Sequence, residues 1–387
     1  MSAGMATARK TSTERVLSVA REIGIREGIE GIGVRSVARQ ADISPSLVSY
    51  HFKGRDTLLA ALHRDAMQDH YADLTHQLAK TAALPSHMRS PASFLTAAVT
   101  HLVHEMRPLT LFLLELRMHV ALAGDQVDTA VAQRFWREFG ATFDIPDDLI
   151  WPWTIMTDAI LWYGVLDDDP LVTQVWLGRA FGRFAARLSG LPDQPAEAAF
   201  FEEDAAPKDR EEIAPSRARD ITLAAIRLIS RGEKISHRTI AKEVGMPLAS
   251  TAYFFGSKND ILADTYKTIY EMMIGDLNVM VKAAGFSIDA DGKVAPIPAL
   301  FGKLIIHTAR DSENTILSRR FRDTRGLSSL KALRQRGIEA DRLDGLVWSL
   351  CHGPYSPAIS GLPAAERAAA FIAHLGDLSD RMFGQRP

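Results

Sequence analysis

The 387-residue chain carries a single cysteine, Cys351. One thiol excludes an internal disulfide framework and fits a reducing compartment, so a cytoplasmic protein is expected. No apolar run approaches ~18 residues, and no membrane span is expected. The opening MSAGMATARKTSTER is basic but has no apolar stretch behind it. It reads as a short mobile arm over 1–12 and not as a signal peptide. Charge of one sign is also missing: the net charge is −2. No global positive field draws the chain to nucleic acid, so any such attraction must be local. Sustained period-two alternation of β-branched residues is absent, which argues against a sheet. Gly24, Gly28, Gly31 and Gly33 follow no strand and precede no Gly-Lys-Ser/Thr, so they are a helix end and loop and not a phosphate cradle. His101, His104 and Glu105 sit at helical spacing without a third ligand nearby, and no metal site is assigned. Asp169-Pro170 reads as a helix start, and neighbouring Cys351 and His352 cannot share one helical face. No catalytic residue or cofactor is assigned, and the chain is not expected to be an enzyme.

What the chain does have is a repeat. Residues 34–59, VRSVARQADISPSLVSYHFKGRDTLL, align without a gap on 237–262, HRTIAKEVGMPLASTAYFFGSKNDIL, at a constant offset of 203. Arg35/Arg238, Ala38/Ala241, Tyr50/Tyr253, Phe52/Phe255 and Leu59/Leu262 are identical across it. Such a repeat reveals architecture before any single residue does.

Between 191 and 215 the chain turns Pro-rich and acidic, with eight acidic residues against two basic within 193–212. A stretch of that composition reads as a linker, with Phe200 and Phe201 as the apolar exception that would tether it to a neighbouring surface. Elsewhere apolar residues recur at helical spacing, in Val16, Val19, Ala20, Ile23 and again in Ile221, Ala224, Ala225, Leu228. The expected class is therefore all-α. The expected divisions are an arm (1–12), a first head (13–62), a first helical body (63–190), a linker (191–214), a second head (215–262) and a second body (263–387). Asp158-Ala-Ile-Leu-Trp162 resembles Asp344-Gly-Leu-Val-Trp348, and each precedes an expected final helix, at about 170–188 and 363–383.

In the first head, the helix bearing Val34, Val37, Ala38 and Ala41 stops at Asp42-Ile43. Ser44 can then cap a short second helix with Pro45 at its first position. Burying Ile43, Leu47 and Val48 would leave Ser46, Ser49, Tyr50 and His51 facing outward, a geometry that fits a major groove. Lys53 and Arg55 lie near the next helix start, where charge and free amides hold phosphate. Residues 9–59 hold nine basic against six acidic residues and 215–262 hold eight against four, so both heads are locally positive.

These residues, V-R-S-V-A-R-Q-A-D-I-S-P-S-L-V-S-Y-H-F and, independently, I-A-K-E-V-G-M-P-L-A-S-T-A-Y-F-F-G-S-K-N-D-I-L, resemble the TetR family of transcriptional regulators. Each motif covers ~50 residues with its first helix; the bodies resemble the family in length and helicity only. The resemblance implies a DNA-binding regulator, a repressor by preference, whose heads read an operator and whose body binds a small effector. Family members pair through their last two helices. Here an intramolecular pseudo-dimer would bring 150–166 and 170–188 against 341–351 and 363–383. DNA-contacting roles then fall to Arg35, Ser44, Pro45, Ser46, Ser49, Tyr50, His51, Lys53 and Arg55. In the second head they fall to Arg238, Pro247, Leu248, Ala249, Thr251, Tyr253, Phe254 and Lys258.

The second head departs from the pattern. Its turn reads Met246-Pro247-Leu248, so the serine cap is lost. Its expected reading face, Leu248, Ala249, Thr251, Ala252 and Phe254, has only Thr251 polar. Such a face meets thymine methyls more readily than it makes base hydrogen bonds. It either still touches DNA, giving an operator with two unlike half-sites, or is a structural relic. An apolar effector cavity is expected among His101, Phe112, Leu116, Met118, Trp136, Trp153, Trp162 and Tyr163, although these aromatics also suit an ordinary core. Two rivals stay open: a homodimer in which only the first head reads DNA, and an effector-binding or enzymatic protein that keeps the repeat as scaffold.

Overall fold

The computed structural model describes residues 12–123, 128–190, 216–230, 233, 235–275, 297–310, 323–352, 359 and 361–384. The expected arm (but for Ser12), the linker with Phe200 and Phe201, and most of the 353–363 stretch lie outside the described residues. Those described are helical or in turns, with no strand among them. No described helix is long and apolar enough to cross a membrane.

Three helices open the fold: α1 (Ser12–Glu27), α2 (Val34–Ala41) and α3 (Pro45–His51). Helix α1 buries Val16, Ala20, Ile23 and Gly24 on one face. A Cβ at Gly24 would overlap the Phe112 ring, so glycine there lets body and first trio close upon each other. Gly28, at φ +79°, turns the chain out of α1, and a one-turn 3-10 segment, Ile29–Gly31, leads to α2. Helix α4 (Arg55–Ala82) then runs 28 residues without a break. It crosses the 62/63 boundary drawn on the sequence, and so joins the first trio to the body as one rod.

The first body comprises α5 (Pro91–His104), α6 (Arg107–Ala123), α7 (Ala130–Phe143), α8 (Asp147–Gly164) and α9 (Pro170–Ser189). Its core is aromatic: Trp153 lies 6.2 Å from Phe181 in a stacked pair and 5.0 Å edge-on from Phe184. Asp169 starts α9 by accepting from the Leu171 and Val172 amides at 2.8 and 3.2 Å, the cap expected of Asp before Pro.

A second trio follows: α10 (Ser216–Ser230), α11 (His237–Val244) and α12 (Leu248–Phe254), with α13 (Lys258–Gly275) leading away. It builds its own small core from Ile221, Ala224, Ala225, Leu228, Ile240 and Ile261. Then come α14 (Ile297–Arg310), α15 (Leu327–Gln335), α16 (Arg342–Leu350) and α17 (Ala364–Phe383).

Helices α8 and α9 pack against α16, and α9 also packs against α17. At this contact the α9 guanidiniums meet one buried carboxylate: Arg187 donates to Asp344 at 2.7 and 3.0 Å, and Arg183 reaches Asp344 at 3.2 Å and Asp341 at 3.0 Å. Burial pushes the Asp344 carboxyl upward. The Arg187 hydrogen bonds, the Asp341 amide and the two positive charges outweigh it and hold the group below the ordinary aspartate value. Ile155 and Phe371 join the same contact in a small apolar cluster with Ile359.

Candidate nucleic-acid interface

The turn between α2 and α3 puts Asp42 in the left-handed region at φ 52°, and the matching turn in the second trio puts Gly245 there at φ 72°. The positions correspond at the repeat offset. Glycine adopts that conformation freely, whereas Asp tolerates it through its short polar side chain. Ser44 caps α3, its Oγ accepting from the Leu47 amide at 3.2 Å, and Pro45 follows at the first position. Pro247 stands before α12 without any side-chain cap. Helix α11 has the better start: Ser236 and Thr239 satisfy each other's amides at 3.1 and 2.9 Å.

Val48 is buried on the inner side of α3, while Ser44, Pro45, Ser46, Ser49 and Tyr50 are exposed on the outer side. Tyr50 is 81% exposed, and Tyr253, its counterpart on α12, is 84% exposed. An aromatic ring left in water at the same position of two trios is not packing the fold. Arg35, Lys53, Arg238, Pro247, Ala249 and Lys258 are also exposed, and Leu248 is half in solvent.

Four expected contacts differ. Arg55 is only partly exposed, and its guanidinium is engaged with the turn before α2: it donates to the Ile32 carbonyl at 2.9 Å and the Ile29 carbonyl at 2.8 Å. It braces the first trio and leaves Lys53 as the exposed cation at this helix start. His51 bonds to Ser12 Oγ at 2.8 Å and Thr13 Oγ1 at 3.1 Å, which ties α3 back to α1. Thr251 is buried, donating to the Leu248 carbonyl at 2.8 Å and lying 3.2 Å from His237 Nδ1. The signal was present, since Thr251 aligns with buried Val48. Phe254 is half-buried against the second trio's core, as its counterpart His51 is half-buried. The outer face of α12 is therefore Leu248, Ala249, Ala252 and Tyr253, with the tyrosine hydroxyl its one polar side-chain group.

Of the residues expected to form an effector cavity, all but His101 belong to one contiguous apolar core or pack against it. Trp136 sits edge-on to Phe135 and Phe139, both at 5.1 Å. Trp153 joins the Phe181–Phe184 stack, and Phe112 covers Gly24. Met118 and Trp162 press on Gly302 of α14, while Tyr163 lies under the Arg325 guanidinium, 4.0 Å from the ring centre. Leu116 is fully buried, and His101 bridges Asp73 at 3.6 Å and Glu105 at 3.1 Å.

Sequence reasoning also missed the body's grip on the first trio. Glu115 of α6 accepts from the Ile29 amide at 2.8 Å, and its other oxygen receives Arg310 of α14 at 2.6 Å. No local pattern could have revealed a pair 195 residues apart.

Two short helices with a left-handed turn between them, the second exposing small polar residues and an aromatic ring, define the first trio as a helix-turn-helix of the DNA-reading kind. Residues 16–62 match the model of the bacterial regulatory proteins of the tetR family. Over 54 residues the chain is 48% identical to a protein of Xanthobacter autotrophicus described as an uncharacterized HTH-type transcriptional regulator in the dhlA 5′ region. That match covers 14% of this chain and 27% of the relative. The first trio is thus similar to a TetR-type DNA-binding segment, which supports a role in DNA-binding transcription regulation.

Proposed function

We propose that the chain is a transcriptional regulator, a repressor by preference, in which one polypeptide supplies two unlike TetR-like heads. The observation that carries this reading is the matched exposure of Tyr50 and Tyr253 on the second helices of two trios that share a gapless repeat. In the first head Ser46, Ser49 and Tyr50 meet base edges, with Arg35 and Lys53 on phosphates. In the second, Leu248, Ala249 and Ala252 meet thymine methyls, Tyr253 supplies the hydroxyl, and Arg238 and Lys258 hold the backbone. Two unlike faces call for an operator with two unlike half-sites. The packing of α8 and α9 on α16 and α17 supports an intramolecular pseudo-dimer. A small apolar effector in the first body would act through α4, whose unbroken course carries movement of the body to the head. Coupling of about 1–3 kcal/mol is typical of such switches and releases an operator.

Anisotropy titrations against the region upstream of the protein's own gene, and against unrelated duplex, test the reading. Salt-dependent binding to the first, weakened by Tyr50→Ala, is expected. Equal binding to both duplexes, untouched by Tyr50→Ala, would refute sequence-specific regulation.

A further inference from the structure

The first helices of the two heads are held at the same point. Their apolar faces, Val16-Val19-Ala20-Ile23 and Ile221-Ala224-Ala225-Leu228, register at an offset of 205 because the loop after the second is two residues shorter. In that register Gly24 corresponds to Ile229. The Gly24 carbonyl accepts from Arg310 Nη2 at 3.3 Å, with the Ile25 carbonyl taking Nη1 at 3.3 Å. The Ile229 carbonyl accepts from Lys303 Nζ at 2.9 Å. The Gly24 carbonyl also takes the Gly28 amide at 2.9 Å, and carbonyls in a helix's last turn carry the negative end of its dipole, so a cation suits them. Both cations stand on α14, seven residues and about two turns apart, on one side of the same helix.

Arg310 is fixed further by Glu115, whose second oxygen holds the Ile29 amide; the Ile29 carbonyl in turn holds Arg55 at the start of α4. Four residues on from Glu115, His119 of α6 lies 3.5 Å from Asp56 on the first turn of α4. Burial pushes the Glu115 carboxyl upward against the pull of Arg310, and burial lowers Lys303 against the pull of Glu30. Both contacts thus hold partly dehydrated charge in place, as positioning contacts do and solvated surface pairs do not.

We infer that α14 is a yoke that sets the spacing and mutual orientation of the two DNA-reading heads, with Arg310 and Lys303 as its positioning residues. Its consequence for operator binding rests on the two-head reading above, but the yoke itself is tested without DNA. If loosening it leaves about a tenth of molecules with the competent spacing, apparent affinity falls about tenfold. Spin labels on Tyr50→Cys and Tyr253→Cys, in a Cys351→Ala background, report the inter-head distance by pulsed dipolar spectroscopy. The parent is expected to show one narrow distance distribution. Arg310→Ala and Lys303→Met should each broaden it at unchanged helicity, and Arg310→Lys should preserve it. Arg310→Gln replaces the alanine variant if that variant unfolds. A distribution already broad in the parent, or unmoved by both single changes and their combination, overturns the yoke whether or not the protein binds DNA.

Discussion

Tyr50 and Tyr253 face solvent almost completely, so neither ring contributes appreciably to folding, and replacing either with alanine should leave the melting temperature nearly unchanged. For Tyr50→Ala the expected cost appears in operator affinity, about 1–3 kcal/mol by titration. Lys53 and Arg55, two residues apart, should behave differently. Lys53→Ala is expected to lower the salt dependence of binding by about one unit of slope, as is Lys258→Ala in the second head. Arg55→Ala should instead lower stability, since the Ile32 carbonyl loses the guanidinium and the Ile29 carbonyl keeps only the Ile32 amide. Equal salt slopes for the parent and Lys53→Ala would remove phosphate contact from Lys53. The cap at Ser44 and the outer position of Tyr50 were legible in the sequence, because capping chemistry and helical period are local. The engagements of Arg55 and His51 were not, because their partners sit on other helices and nothing in either residue's neighbourhood names them.

Among elements, the contact of α9 with α16 gathers its charge on one aspartate. Asp344→Ala leaves Arg183 and Arg187 facing a buried gap, which is expected to cost about 3–5 kcal/mol in denaturant unfolding. Arg381→Ala, at a partly exposed guanidinium reaching Asp148 at 2.8 Å, should cost about 0–1 kcal/mol. Similar losses for the two would contradict the buried assignment. The Asp344 carboxyl is held below its ordinary value, so its contribution is complete above about pH 4 and fades only as pH falls through its folded value. Helices were legible throughout the described residues because apolar periodicity is written into each segment. The join between head and body was not: α4 keeps one period straight through 62, so a boundary drawn from motif length falls inside a continuous helix. Likewise, aromatic enrichment in the first body announced burial without saying whether the rings line a cavity or fill the core.

Across the whole molecule, acid stability is governed by buried histidines. Burial pulls His352 and His374 down to about 4 and, with Arg117 and Arg64 nearby, His63 to about 3, from 6.5. The folded state keeps these rings neutral while the unfolded chain protonates them near 6.5. Stability is therefore full above that value and falls as pH drops toward 4. Each ring costs about 1.4 kcal/mol per pH unit, or about 2 kcal/mol by pH 5. The parent should therefore melt at a lower temperature at pH 5 than at pH 7, and His374→Gln should flatten the slope. A parent melting temperature equal at both values would refute it. The second helix trio was legible at this scale because the repeat keeps its register over 26 positions without a gap. The clasp of α14 on both first helices was not, because it joins residues 74 and 286 apart in the chain.

One polypeptide furnishing both readers is the claim on which the proposed function turns, and a hydroxyl-radical footprint tests it most directly. On a duplex selected from a random pool, saturating parent protein is expected to protect two patches about one helical turn apart. Tyr50→Ala should open one and Tyr253→Ala the other. Both patches intact with Tyr253→Ala, and both lost with Tyr50→Ala, would mean that only the first head reads DNA and that two chains share the site.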